Sequence, residues 1–101
     1  MRERTIRVSS TSVWEVAQLV ARGRLELTMD VADWVAKSES LPFVQFIPVD
    51  NRIAIRATRL PGQFHADPAD RIIVATTLAL GATLVTKDSR LQQYSHVETL
   101  W

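Results

Sequence analysis

Cysteine is absent from this 101-residue chain, which excludes disulfides, thiolate nucleophiles and cysteine-ligated metals and is compatible with a reducing compartment. An excess of either charge is also lacking. Twelve Lys and Arg stand against eleven Asp and Glu, a net charge of +1. Holding nucleic acid by a bulk positive field is therefore excluded, and work on phosphate would fall to local Arg groups or to metal ions. No apolar run approaches the roughly 20 residues that span a bilayer. The start, Met1-Arg2-Glu3-Arg4-Thr5, does not continue into a signal-peptide core. A soluble, cytoplasmic protein with no membrane partner is expected. Internal repeats and low-complexity linkers are missing too, so one domain is expected over residues 1–101. What is present is 47% hydrophobic residues, ample for a core. A chain this short buries only a modest fraction of its surface, so a partner is expected to help.

Residues 5–9 alternate, with Ile6 and Val8 on one side, and predict a strand. Ser12 and Glu15 have capping-box spacing ahead of Val16, Leu19 and Val20, predicting a helix over 13–22 closed by Gly23. A second helix, 31–38, is capped by Asp30 and carries Val31, Trp34 and Val35 as an i, i+3, i+4 stripe. Residues 43–49 are rich in strand formers, with Pro48 marking an edge or an end. A helix over 52–59 presents Ile53, Ala54, Ala57 and Leu60 and is broken by Pro61-Gly62. The firmest local pattern is Asp67-Pro68-Ala69-Asp70-Arg71 before Ile72-Ile73-Val74-Ala75: N-cap, Pro at N1, acid at N3, then a helix to Leu80 closed by Gly81. Residues 82–86 predict a buried strand, 89–93 a short helix and 97–100 a last strand. Helix and strand alternate at βα spacing, which favours a mostly parallel α/β sheet over a helical bundle.

Glu15, Asp70 and Asp88 share one placement: each lies near the carboxyl end of an expected strand or in the first turn of an adjoining helix. In open α/β sheets that edge is the functional one. Three clustered carboxylates repel one another unless a cation is supplied, and hard ions such as Mg²⁺ or Mn²⁺ prefer oxygen ligands. Such an ion can activate water and neutralise charge developing on a phosphodiester. The plainer reading makes the same acids caps and surface salt bridges. Asp67 reads as a cap before a ligand. Thr86 and Ser89 flank Asp88, and either hydroxyl could hold a metal-bound water or a phosphate oxygen, with Ser89 alternatively an N-cap. Arg71 could pair with a carboxylate or contact RNA phosphate. His65 lacks a partner in any metal-ligand pattern, and general-base work is its minor reading. Trp14 and Trp34 fit packing positions, and Trp101 a hydrophobic edge or dimer surface.

Ser9-Ser10-Thr11-Ser12-Val13-Trp14-Glu15-Val16-Ala17, with Gly23-Arg24-Leu25-Glu26-Leu27, resembles the second acidic motif of PIN-domain proteins, most nearly the VapC-like ribonuclease toxins of type II toxin–antitoxin modules. His65 to Thr76, then Gly81 to Asp88, resembles the rest of that acidic signature, and Val97-Glu98-Thr99-Leu100-Trp101 is typical of the branch. The resemblance implies a PIN-like three-layer α/β domain and a metal-dependent endoribonuclease whose active site uses Glu15, Asp70 and Asp88 with Mg²⁺ or Mn²⁺. It further implies an RNA substrate and a cognate antitoxin.

The family begins with a strand, an Asp-bearing motif and a helix that nothing before Thr5 supplies, and Glu3 lacks the context to stand in. The expectation is a PIN domain that starts late, with its central first strand missing and its activity impaired. Upstream bases would then encode an apolar strand ending in Asp, followed by a helix. The family strand order puts 43–49 beside 5–9, then the missing strand, then 82–86 beside 97–100. Losing a central strand exposes apolar edges and unpaired backbone groups. Homodimerisation, a swapped sheet, or direct pairing of 5–9 with 82–86 would repair it. The competing class is a non-catalytic PIN-derived interaction protein that self-associates or binds an antitoxin.

Overall fold

A computed structural model describes residues 5–101, and Glu3 lies outside them. The chain divides into two compact units, one ending at Pro48 and one running Val49–Trp101. Strand β1 (Ile6–Ser9) leads straight into helix α1 (Ser10–Ala21), followed by α2 (Val31–Glu39) and β2 (Val44–Ile47). The second unit contains α3 (Asn51–Ala57), α4 (Pro68–Leu80), β3 (Leu84–Val85), α5 (Ser89–Gln92) and β4 (Thr99–Leu100). The class is α/β with parallel strand pairing, as expected.

In the first unit β1 pairs with β2 in parallel, Ile6 opposite Val44 and Ser9 opposite Ile47. Pro48 follows the last rung and, lacking an N–H, suits the end of a strand. Ser9 both ends the ladder and caps α1: its backbone is extended at φ −68°, ψ 138°, and its Oγ accepts from the Thr11 N–H at 3.2 Å. The expected cap, Ser12, is displaced. Ser9, Ser10, Thr11 and Ser12 can all cap, and the last rung of the ladder selects among them. At the other end Gly23, at φ +70°, donates to Val20 O while Arg24 donates to Leu19 O, the paired closure that satisfies a helix's last carbonyls. Asp30 caps α2 through the Ala32 N–H, as the sequence predicts. Trp14, expected to pack, is instead 60% exposed, and neither α1 nor α2 contains a buried residue. Its position falls on the side of α1 turned to solvent.

The core sits in the second unit. Ile53, Ala57 and Leu60, Val74 and Ala75, and Leu91 and Tyr94 are the buried apolar residues. The first five lie where α3 and the residues after it pack on α4, and Leu91 and Tyr94 come from α5 and the segment after it. Ala54, expected on the apolar stripe, is exposed; the stripe narrows to Ile53, Ala57 and Leu60. Helix α4 follows its sequence closely. Asp67 Oδ1 accepts from the Asp70 N–H at 3.0 Å, Pro68 occupies the first turn, and Gly81 closes the helix at φ +60°, ψ 35°. The two buried threonine hydroxyls, Thr76 and Thr77, return their protons to the carbonyls of Ile72 and Ile73 at 2.8 Å, so neither is left unpaired. Val74 is fully buried, worth about 1.5–3 kcal/mol against leaving it in water.

Strands β3 and β4 pair in parallel, Leu84 opposite Thr99 and Val85 opposite Leu100. Among the described residues the strands form two separate two-stranded sheets, β1 with β2 and β3 with β4. The neighbour relations expected on each side are therefore made, whereas a ladder joining 5–9 to 82–86 is not. Read from its composition as a buried strand, 82–86 shortens to two residues, and Val85 stays 62% exposed. Among the described residues β3 has one ladder partner, and a strand buried on both faces needs more cover than that. No helix among the described residues is long and apolar enough to cross a membrane.

Candidate active site

Asp70 and Asp88 stand at two helix starts in the second unit, each within reach of one guanidinium. At α4, the Asp67 cap and Pro68 fix the first turn, so Asp70 stands at N3 with its side chain 18% exposed. At α5, Asp88 is itself the N-cap: its Oδ1 accepts from the Arg90 N–H at 2.8 Å. The cap is therefore Asp88 and not Ser89, which is the first helical residue. Thr86 Oγ1 accepts from the Asp88 N–H at 3.1 Å, and the Gln92 amide donates to Thr86 O at 3.0 Å. The Thr86 hydroxyl therefore shapes the turn that presents Asp88.

One guanidinium joins the two acids. Arg90 Nη2 lies 3.2 Å from Asp88 Oδ2 and 3.6 Å from Asp70 Oδ2, and Arg90 Nε reaches Asp88 Oδ1 at 3.4 Å. The Arg90 side-chain hydrogen bonds, reinforced by its backbone N–H, hold the Asp88 carboxyl below its ordinary range, against an opposing desolvation. The same contact raises Arg90. On its other flank Asp70 Oδ2 accepts from His65 Nε2 at 2.8 Å. The imidazole is set by its neighbours: His65 stacks on Phe64 at 4.2 Å between ring centroids, and Phe64 meets Tyr94 edge-on at 4.9 Å. Burial raises the Tyr94 phenol, whose hydroxyl donates to Pro61 O. An open depression lies here, lined by Phe64, His65, Arg90, Tyr94 and His96 among others.

Arg71 is engaged with backbone carbonyls. Its Nε donates to Ala57 O at 2.8 Å, and Nη1 donates to Phe64 O and His65 O at 3.3 Å each. Its guanidinium also lies 5.8 Å from the Phe64 ring centroid. Arg71 ties the end of α3 and the 58–66 loop to α4, and through that loop it seats His65 beside Asp70. Glu15 lies in the first unit, on α1, and is exposed.

A family model described as PIN domain matches residues 1–97. The chain belongs to the PIN-domain family. This PIN domain is 35% identical over 96 residues to "Ribonuclease VapC22" of Mycobacterium tuberculosis (strain ATCC 25618 / H37Rv), covering 93% of the chain and 72% of that relative. It is homologous to the VapC-family ribonuclease toxins, with a nuclease-type fold. No solved structure matches it significantly.

The family associates this fold with metal-dependent nucleases. The donor chemistry is right for a hard divalent ion, since Asp70 and Asp88 offer carboxylate oxygens. The arrangement is not: among the described residues no group of three His, Cys, Asp or Glu side chains is placed to hold a metal ion. The facing oxygens of Asp70 and Asp88 are already engaged by Arg90. Sequence reasoning missed Arg90 and undervalued His65. An Arg two residues after a capping Asp is a usable signal, because that spacing lets the side chain fold back onto the cap. The His65–Asp70 contact has no such local signature, since it depends on the loop clamped by Arg71.

Proposed function

We propose that this PIN domain is a divalent-metal-dependent endoribonuclease of the toxin type, with Glu15, Asp70 and Asp88 as its acids and weak activity in the arrangement described. The observation that carries the reading is the convergence of Asp70 and Asp88 on one guanidinium at two neighbouring helix starts, in a chain homologous to VapC-family ribonucleases. Mg²⁺ or Mn²⁺ is the cofactor this reading requires, RNA the substrate, a cognate antitoxin the regulatory partner, and the cytoplasm the place of action. The chain's own groups supply binding and orientation. Arg90 offers a planar cation of the kind that pairs with phosphate, beside Phe64 and Tyr94 on the same depression. His65 holds Asp70 in place through Nε2.

The test is cleavage of a fluorophore–quencher RNA by the purified chain with and without MnCl₂, alongside Asp70→Asn. Metal-dependent cleavage lost in Asp70→Asn with an unchanged circular dichroism spectrum supports the reading. Cleavage indifferent to that substitution defeats the site.

A second reading, a non-catalytic PIN-derived protein that self-associates or occupies an antitoxin, is favoured by the lack of a three-ligand group among the described residues. Its supporting result is a stable dimer or antitoxin complex in sedimentation, together with no Mn²⁺ binding by calorimetry.

A further inference from the structure

The near-neutral charge of the whole chain hides a local imbalance in the second unit. Arg52, Arg56 and Arg59 recur at i, i+4 and i+7, and at roughly 3.6 residues per turn that spacing confines them to an arc of about 60° on one side of the helix. Arg52 and Arg56 belong to α3, and the Arg59 N–H donates to Arg56 O at 2.9 Å, carrying the turn on past its end. Ile53 and Ala57 are buried and fix the neighbouring side of the helix, while Arg52 and Arg59 are exposed and Arg56 is half-buried. The unit's other Arg and Lys side chains are engaged: Arg71 with three carbonyls, Arg90 with Asp88 and Asp70, and Lys87 over the Trp101 ring at 4.6 Å. Its aspartates are engaged as well, since Asp50, Asp67 and Asp88 cap helices and Asp70 meets His65. Among the described residues, none of Arg52, Arg56 and Arg59 makes an ion pair or a side-chain hydrogen bond. Three guanidiniums along one side of a packed helix repel one another unless an anion lies across them.

The C-terminal end of this stripe adjoins the open depression. Ala57 O, at the end of α3, accepts from Arg71, which also holds Phe64 O and His65 O. The loop that follows Arg59 thereby lines the depression, contributing Gly62, Phe64 and His65 opposite Arg90 and Tyr94. A ligand that spans helix and depression needs repeated negative charge for the first and flat rings for the second. Guanidinium forks match phosphate oxygens, and aromatic side chains accept stacked bases. We propose that Arg52, Arg56 and Arg59 form the docking surface for the phosphate backbone of single-stranded RNA and lead the strand to the depression at His65 and Arg90. This rests on the reading of RNA as the substrate and goes beyond it by naming where, apart from the acids, the strand is held. It requires no metal ion at Asp70 or Asp88.

Fluorescence anisotropy of the full chain with a short oligouridylate tests this across a salt series, in EDTA so that no divalent ion takes part. Each phosphate contact to a single strand adds about 0.7 to the slope of log K against log salt. Arg52→Gln, Arg56→Gln and Arg59→Gln together keep good helix formers in place. They should lower the slope by about 2 and weaken binding about tenfold or more at moderate salt. Each single change should lower the slope by about 0.7, which carries the test if the triple variant does not fold. Arg52→Lys, Arg56→Lys and Arg59→Lys together keep the charge and should restore most of the slope. Arg22→Gln, Arg24→Gln and Lys37→Gln remove the same charge from exposed positions of the first unit and should leave the slope unchanged. Equal slope and affinity in the parent and the α3 Gln variants overturns the docking surface and leaves RNA as the substrate. A loss matched by the first-unit variant overturns it as a general charge effect. A polyglutamate peptide bound as tightly as the RNA, and weakened alike by the α3 changes, overturns RNA as the occupant in favour of an acidic protein segment. No RNA binding by the parent at any salt overturns the substrate reading, and the docking surface falls with it.

Discussion

Replacing Arg71 by Met should destabilise the second unit and leave RNA contact largely untouched. The Nε bond to Ala57 O at 2.8 Å is short and charge-assisted, a kind worth about 1.5–3 kcal/mol. The two Nη1 bonds, to Phe64 O and His65 O, are long at 3.3 Å and add less. Met preserves the stem's packing, and the carbonyls it leaves are only part-buried, so the net loss is about 2 kcal/mol. For a domain of this size that corresponds to a fall in Tm of roughly 8–16 °C. The assay is urea and thermal unfolding followed by circular dichroism at 222 nm, with Arg71→Lys alongside. A single ammonium cannot serve three carbonyls, so Lys should recover less than half of the loss. Fluorescence anisotropy with a short single-stranded RNA separates this from a phosphate-contact role. A Tm within about 2 °C of the parent, together with a clear loss of RNA binding in Arg71→Met, would refute the reasoning.

Asp67→Ala removes the Asp70 N–H acceptor at the start of α4 and should cost about 1 kcal/mol in urea unfolding. Gly81→Ala meets no neighbouring atom at the new Cβ, so its cost, about 1 kcal/mol, is that of holding an L-residue at φ +60°. The Asp88 carboxyl is held low by Arg90, so its native pKa lies below the unfolded one. Its contribution is therefore complete above the ordinary carboxylate range, near pH 4, and is lost as pH falls through the lower native value. Unfolding followed between pH 6 and 2 should show a shallower acid limb in Asp88→Asn than in the parent, and parallel limbs would contradict the assignment.

Much of the second unit was legible in the chain because its decisive bonds are local. Asp67, Pro68 and Gly81 bound α4 through backbone groups within four residues, so their chemistry acts wherever the helix packs. Asp30 behaves alike for α2. Parallel pairing of 5–9 with 43–49 and of 82–86 with 97–100 followed from the resemblance to PIN domains, since propensity alone does not choose ladder partners. Tertiary structure decided what local rules left degenerate. Ser9 caps α1 because the β1–β2 ladder ends there, although three following residues could have served. Arg71 spends its donors on the carbonyls of Ala57, Phe64 and His65, partners that no spacing rule identifies. The acid pair shows both levels at once. That Asp88 caps a turn and meets Arg90 is written into three consecutive residues, whereas the approach of Asp70 depends on how α4 and the start of α5 are held within the second unit. Local sequence sets the groups a side chain can reach within one turn, and packing selects which distant charge comes within range.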